Sequence, residues 1–588
     1  MELKGNGVSP GIAVGQALLV EREVVPVFRL LLPPDRIETE VQRLVRAVEA
    51  SREQLQAIKD RLSQEVGMPH AYIFDAHLLM LEDPLLLDRA VAVIREDHVN
   101  AEWALRTVSE QLHALFEEFT DAYLRERSTD LDDVLGRIQL NLRGANEAPS
   151  LSRLPGSFVI VARDLTPSEA AELDWERVLA VATDAGSSTY HTAILARSFG
   201  VPCVVGLDDA TQRVPPGALV VVDGSRGRVV VEPSGPTLEA FRATQQREAL
   251  EERQLQDTRA LKALTRDGVT VALRANVEFP DETASARLYG AQGIGLFRSE
   301  YLLGRSREWP SEDRQLEVYK RLLEQMHPEP VTVRTWDVGL EDIGPAGPST
   351  PNPAMGERAT RLMDRAPDVF KTQLRALLRA AAFGPLRIMF PFIAGPEDLG
   401  RAQALLEESR AELEAAGQAM GTGVCVGVTV EVPSAALCAD LLAGAVDFLS
   451  IGTNDLIQYL LAVDRSDPRV SRHYQPLHPA VLRTLRGVVE AGARRGIEVS
   501  VCGEMAADPL QALVLLGLGV RDLSMNPAAI PRVKMAIRSV DLEMLTGLVH
   551  ACLDLATAEQ IETKLRTALG EMLAPCESAP SGLIPAKE

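Results

Sequence analysis

The spacing of hydrophobic positions divides the chain into stretches of different texture. Residues 1–33 are strand-like and punctuated by glycine. From 35 to 144, apolar residues recur at three- and four-residue spacings, which predicts amphipathic helices packed as a bundle. One runs from Glu38 to Glu65, a second through AHLLMLEDPLLLDRAVAVIRE, and a third from Glu102 to Leu124. Between Gly156 and Val231 the texture turns to short β-branched runs, FVIVA, VLAVAT, VPCVVG and ALVVVDG, separated by turns. That predicts a small α/β unit with which the opening residues pair, the helical stretch being an insertion. Residues 237–264 contain neither Gly nor Pro and are dense in Glu, Arg, Gln and Leu, which predicts one long solvated linker helix.

The remainder alternates apolar strand and helix. Eight strand candidates follow one another: VTVALRAN (269–276), GIGLFR (293–298), VTVRTWD (331–337), LRIMFPF (386–392), VGVTVE (426–431), DFLSIG (447–452), EVSVCG (498–503) and VRDLSM (520–525). Eight such units in about 300 residues is the count of a (β/α)8 barrel. The organisation read from the sequence is an α/β multidomain chain. An α/β domain takes 1–34 and 145–233, with 35–144 inserted as a helical subdomain. A linker helix takes 234–264, the barrel 265–575, and a tail 576–588.

Composition narrows the partners. Asp and Glu number 83 against 61 Lys and Arg, a net charge of −22 with no long basic block, so no nucleic acid partner is expected. The six cysteines never fall in a C-x-x-C pair, which suits a reducing compartment better than a disulfide scaffold. No signal peptide is read in MELKGNGVSPGIAVGQALLV, and no apolar run approaches the ~20 residues that span a bilayer. A soluble, cytoplasmic protein without a membrane partner is expected.

A barrel places its chemistry at the C-terminal ends of the strands. There the sequence puts Arg298, Arg334, Glu431 and Cys502, with Asp337 closing the third run and Asn454 and Asp455 following the sixth. With Arg358 and Arg465, these arginines would suit a small, multiply charged anion, because the guanidinium fork donates two parallel hydrogen bonds. Glu431 and Asp455 offer hard oxygens suited to magnesium beside a phosphate. Cys502, in SVCGEM, could donate a proton at the mouth of a charged barrel. Far upstream, DAGSSTYHTAILARS carries a small-residue turn into a helical pattern beginning near His191. Neutral imidazole at a helix N-terminus is a nucleophile whose phosphoryl adduct backbone N–H groups can stabilise.

The segments GIGLFRSE (293–300), NPAMGERATR (352–361), DFLSIGTNDLIQYLLAVDR (447–465) and SVCGEM (500–505) closely resemble the phosphoenolpyruvate-utilising enzymes, and DAGSSTYHTAILARS resembles their phosphohistidine segment. With SPGIAVGQALL (9–19), DAHLLMLED (75–83) and AYLRERSTDLDDVLGRI (122–138), the order is that of Enzyme I of the phosphotransferase system, the phosphoenolpyruvate–protein phosphotransferase family. The resemblance implies a phosphohistidine α/β domain and a helical subdomain that docks the phosphocarrier HPr. It also implies a TIM barrel that binds phosphoenolpyruvate and Mg²⁺ and forms a homodimer. By the same resemblance His191 is the nucleophile and Cys502 the proton donor. Glu431 and Asp455 are the metal ligands, and Arg298, Arg334, Arg358, Asn454 and Arg465 hold the substrate. Rigid-body swivelling about the joints of the linker helix would bring His191 to the barrel.

The chain departs from the family pattern at Ser187 and Tyr190 beside the histidine, at Glu357, and after Arg334. There it reads Gly339-Leu-Glu-Asp342 where the family has Gly-Gly-Asp-Lys. That rebuilt loop supports an alternative reading, a slow or non-turnover regulatory paralogue that signals by docking a phosphocarrier. A dikinase or synthase of the same group would need a nucleotide-binding domain, and this sequence has no glycine-rich phosphate loop.

Overall fold

The computed structural model describes every residue except 21–26, 66–72, 118–121, 145–155, 187–190, 304–308, 340–352, 364, 466, 468 and 578–588. The loop after Gly339 and the positions Ser187 and Tyr190 therefore lie outside the described residues, as does most of the expected tail. The chain divides into two compact units, with the boundary between Glu248 and Ala249.

In the first unit, β1 (Glu2–Lys4), β2 (Asn6–Ser9), β3 (Ile12–Val20), β4 (Phe158–Ala162), β5 (Val178–Thr183), β6 (Cys203–Val205), β7 (Leu219–Asp223) and β8 (Arg228–Val231) form one sheet in the order β1-β8-β7-β3-β4-β5-β6-β2. The opening strand β3 runs parallel to β4 and antiparallel to β7, the pairing expected of the opening residues. The central strands read as continuous apolar runs because both faces are covered. Alternate residues enter different cores: Ile160 and Val181 pack with the helices, while Val159, Val161, Ala180 and Ala182 join the cluster of Leu207 and Val214 on the other face.

Between β3 and β4 come α1 (Ile37–Glu65), α2 (Ile73–Glu82), α3 (Pro84–Asp97), α4 (Ala101–Glu117) and α5 (Ala122–Leu142). The second expected helix is thus two. Pro84 has no N–H for a continuing ladder and disfavours helical backbone at the residue before it. The helix restarts with proline at its first position. The third expected helix ends at Glu117 rather than Leu124, which belongs to α5. After α6 (Pro167–Glu172), opened by a Thr166–Glu169 capping box, α7 (His191–Ser198) follows the small-residue turn. The linker helix α8 runs Gly235–Arg259 and stops short of Leu264. Residues 263–271 turn back instead, Thr265 N–H donating to Val269 O at 3.0 Å and Val271 N–H to Ala263 O at 2.9 Å, around Gly268 at φ +85°.

In the second unit, β9 (Ala272–Val277), β10 (Ile294–Arg298), β11 (Val331–Arg334), β12 (Leu386–Phe390), β13 (Cys425–Val430), β14 (Phe448–Ile451), β15 (Glu498–Val501) and β16 (Asp522–Met525) close into a parallel barrel, β16 pairing with β9. It is a (β/α)8 barrel with one strand in each of the eight expected runs. Along each strand one parity faces the surrounding helices, as with Leu273, Phe297, Val333 and Ile451 in the large core. The other parity faces inward. Arg274, bonded to Asp522 at 2.6 Å, and Arg387, bonded to Glu498 at 2.7 Å, lie at the strand starts. Above them Leu296, Met389 and Phe448 pack with Cys502.

This filling leaves no room at Gly427, where a Cβ would lie 2.5 Å from the Phe448 ring. Gly427→Ala is expected to destabilise the barrel by about 1–3 kcal/mol through overpacking, read as a lowered calorimetric transition. Relief of that loss by Phe448→Leu would localise the cause. Among the described residues no helix is long and apolar enough to cross a membrane.

Candidate active site at the barrel mouth

Eight of the nine residues singled out in the sequence lie in the barrel, at or just beyond the C-terminal strand ends; the ninth, His191, opens α7 in the other unit. Inward parity decides which strand-end side chains meet. Arg298, Arg334, Glu431 and Cys502 each continue the inward-facing positions of β10, β11, β13 and β15. Asn454 and Asp455 sit in the first turn of helix Thr453–Leu461, which follows β14.

The arginines are held by carboxylates. Arg334 pairs with Glu300 at 3.0 Å and with Asp337 at 2.9 Å. Arg358 donates to both oxygens of Asp337, at 2.9 and 3.0 Å, and lies 4.0 Å from Asp455. Arg465, more exposed, stands 3.8 Å from the other Asp455 oxygen. Arg298 bonds Glu278 at 3.1 Å. Asn454 accepts the Glu504 N–H at 2.8 Å.

Burial disfavours the charged forms of Arg334, Arg358, Asp337, Glu431 and Cys502, and neighbours decide the outcome. It works against the Arg334 and Arg358 guanidiniums, but Glu300 and Asp337 for the first and Asp337 and Asp455 for the second hold both firmly charged. Burial likewise opposes the Asp337 carboxylate, yet Arg334 and Arg358 bring it below the ordinary carboxylate range. Glu431 has less relief. Burial, with Asp337 and Asp455 adding repulsion, pushes its carboxyl up to about 8 against the opposing pull of Arg334. Burial also raises the Cys502 thiol, with the Ser450 hydroxyl opposing.

Glu431 is shaped from two sides. Its Oε1 accepts the Phe392 N–H at 2.6 Å, and Phe392 reaches that position at φ +56°, which a non-glycine residue adopts only at a cost. The Phe392 ring lies 5.1 Å from the Arg358 guanidinium. On the other side, a Cβ at Gly452 would fall 2.9 Å from Glu431 Oε2. The absent side chain leaves that oxygen clear. Two hard carboxylates that repel one another beside a cleared oxygen fit a divalent cation of the magnesium type. Asp337, which organises the arginines with Glu300, was read only as closing the third strand run and given no role, and Glu300, just past the second run, was not singled out.

Family models match most of the chain. The PEP-utilising enzyme N-terminal model matches residues 4–127, the mobile-domain model 154–227 and the PEP-binding-domain model 252–542. A protein of Cupriavidus necator named phosphoenolpyruvate-protein phosphotransferase is 39% identical over 577 residues, covering 96% of this chain and 98% of that one. Proteins of the same name from Geobacillus stearothermophilus and Bacillus subtilis are 41% and 39% identical, each covering 95% of this chain and 96% and 98% of their own. The chain belongs to the phosphoenolpyruvate–protein phosphotransferase family. It is thereby a transferase of the phosphoenolpyruvate-utilising enzymes, and the barrel is the unit that the PEP-binding model covers.

Proposed function

We propose that the chain transfers the phosphoryl group of phosphoenolpyruvate to its own His191, releasing pyruvate. It then passes the group to a histidine of a small HPr-like phosphocarrier, the first step of the phosphotransferase system. The observation that carries this reading is the convergence of Arg334, Arg358, Glu431, Asp455 and Cys502 at one end of the barrel. Arg298, Arg334, Arg358, Asn454 and Arg465 hold the phosphate and carboxylate of the substrate. Glu431 and Asp455 hold Mg²⁺, which when bound supplies positive charge to the phosphoryl oxygens.

A ring nitrogen of His191 attacks phosphorus and the P–O bond to the enol oxygen breaks, the electron pair remaining on that oxygen. The Cys502 thiol then gives its proton to C3 of the enolate. Burial, by raising that thiol, keeps the proton in place through the neutral range. The transition state is loose and charge-spread, so positioning and cations are the main aids. His191 and the barrel residues belong to different units, so the reaction requires the two to meet and part. The helical insert docks the carrier, the barrel forms a homodimer, and the protein works in the cytoplasm.

Incubation with phosphoenolpyruvate and Mg²⁺ is expected to put one acid-labile phosphoryl group on His191, with stoichiometric pyruvate; His191→Ala is expected to give neither. Mass spectrometry and a pyruvate assay read both. A folded wild type that takes no label with metal present would sink the transferase reading and leave a phosphocarrier-docking regulator in its place.

A further inference from the structure

Asn276 faces into the barrel from β9, between the outward-facing Ala275 and Val277 of the large core. Its amide serves two other strands. Nδ2 donates to the carbonyl oxygen of Cys502 at 2.9 Å, and Oδ1 accepts the Ser524 hydroxyl of β16 at 2.5 Å. The Cys502 carbonyl lies beyond the last paired residues of β15 and β16, Val501 and Leu523, so the sheet ladder does not reach it. On the other side of the same residue, the Cys502 N–H donates to Ile451 O of β14 at 3.1 Å. The peptide groups before and after the Cys502 Cα are therefore anchored to β14 and β9 respectively. Two anchored peptide groups fix the direction of the Cα–Cβ bond and with it the cone on which Sγ can lie.

A second feature protects this arrangement. At Gly295 of β10, a Cβ would meet Ser524 Oγ at 2.3 Å and Ser524 Cβ at 2.4 Å. Only glycine leaves Ser524 where its hydroxyl reaches Asn276. The amide orientation is set as well, since the Cys502 carbonyl can accept from the NH₂ group alone.

We propose that Asn276 is the positioning residue of Cys502, holding its backbone so that the thiol faces one side of the three-carbon enolate. The inference rests on the reading of Cys502 as proton donor. In the step concerned, the enolate oxygen re-forms its carbonyl, the C2–C3 π pair takes the proton from Sγ, and the S–H pair stays on sulfur as thiolate. The thiolate then recovers a proton from water. A fixed thiol delivers to one face of C3; a displaced one lets the enolate escape and be protonated by water on either face.

The test is the stereochemistry of the methyl group formed from phosphoenolpyruvate carrying a single deuterium at C3 in one geometric configuration, in tritiated water, in the full-length protein with Mg²⁺ and an HPr-type carrier. Wild type, Asn276→Ala, Asn276→Asp and Cys502→Ala are compared. Asp keeps shape and the acceptor for Ser524 but cannot donate to the carbonyl when ionised, so it carries the test should Ala not fold. Both Asn276 variants are expected to lose facial selectivity. Their kcat should fall on the order of 10–100-fold, with KM for phosphoenolpyruvate within about twofold. If Cys502→Ala abolishes selectivity and both Asn276 variants keep it at wild-type kcat, Asn276 does not position the thiol and the proposal fails. If Cys502→Ala itself keeps selectivity, the donor is another group, and the reading on which the proposal rests fails with it.

Discussion

Glu431→Gln is expected to lower pyruvate formation by roughly a thousandfold or more while making the metal-free protein more stable. The amide oxygen can keep the 2.6 Å bond from the Phe392 N–H. The NH₂ group then takes the place of Oε2, beside the space that Gly452 leaves open. A donor stands where the proposed cation needs a lone pair, and several kcal/mol of transition-state charge stabilisation go with it. Stability moves the other way. The Glu431 carboxyl is raised to about 8, so between its unfolded value near 4.3 and about pH 8 the folded chain holds a proton that the unfolded chain has released. Folding therefore weakens as pH rises through that window. Glutamine has no proton to hold, so its advantage should be small near pH 5 and grow to on the order of a few kcal/mol by pH 8. Calorimetry in EDTA from pH 5 to 8.5, beside a pyruvate assay with Mg²⁺, reads both effects. A variant that keeps turnover would remove Glu431 from the metal site, and one whose stability tracks wild type at every pH would mean that the folded chain holds no extra proton there.

The barrel was legible in the sequence because its strands are short apolar runs, buried on the helix side and filled inside by apolar side chains and paired charges, several ending in a polar or charged group. Inward parity makes Arg298, Arg334, Glu431 and Cys502 recognisable as one set: a charged group in the inward register at a strand end cannot join the outer core. Asn276 shares the register but lies one step earlier on its strand, where nothing in the local sequence shows that its partner is a carbonyl two strands away. Glu300 was passed over, and Asp337 was given no role, for a related reason. Each follows an arginine in the chain, yet which arginine it meets depends on how two loops fold over the mouth. Helix ends were misjudged where local chemistry overrides periodicity, as at Pro84 and in the Thr265–Gly268 turn. The fold of a periodic segment follows from burial alone, whereas a site built from loop carboxylates needs the third dimension.

Asp337→Asn should cost the barrel unit about 3–5 kcal/mol, the usual consequence of removing one member of a buried ion pair. The Asp337 side chain is only 3% exposed and sits between two guanidiniums, 2.9 Å from each. Without its charge, Arg334 keeps Glu300 at 3.0 Å, but the nearest remaining carboxylate for Arg358 is Asp455 at 4.0 Å. Arg358 is therefore expected to turn toward Asp455 and compete for the proposed metal, raising the Mg²⁺ concentration needed for half-maximal rate. The Asp337 carboxyl is held below the ordinary range, so its stabilising contribution is complete above about pH 4 and is lost as pH falls through the folded value. The gap between wild type and variant should accordingly be open at pH 5 and close as the pH falls into acid. Inorganic phosphate offers Arg358 and its neighbour Arg334 a replacement anion, so it should raise the melting temperature of the variant more than that of wild type. Calorimetry with and without phosphate decides the matter. A loss under 1 kcal/mol with no extra response to phosphate would mean that the arginines find other carboxylates and that Asp337 does not hold the anion site in shape.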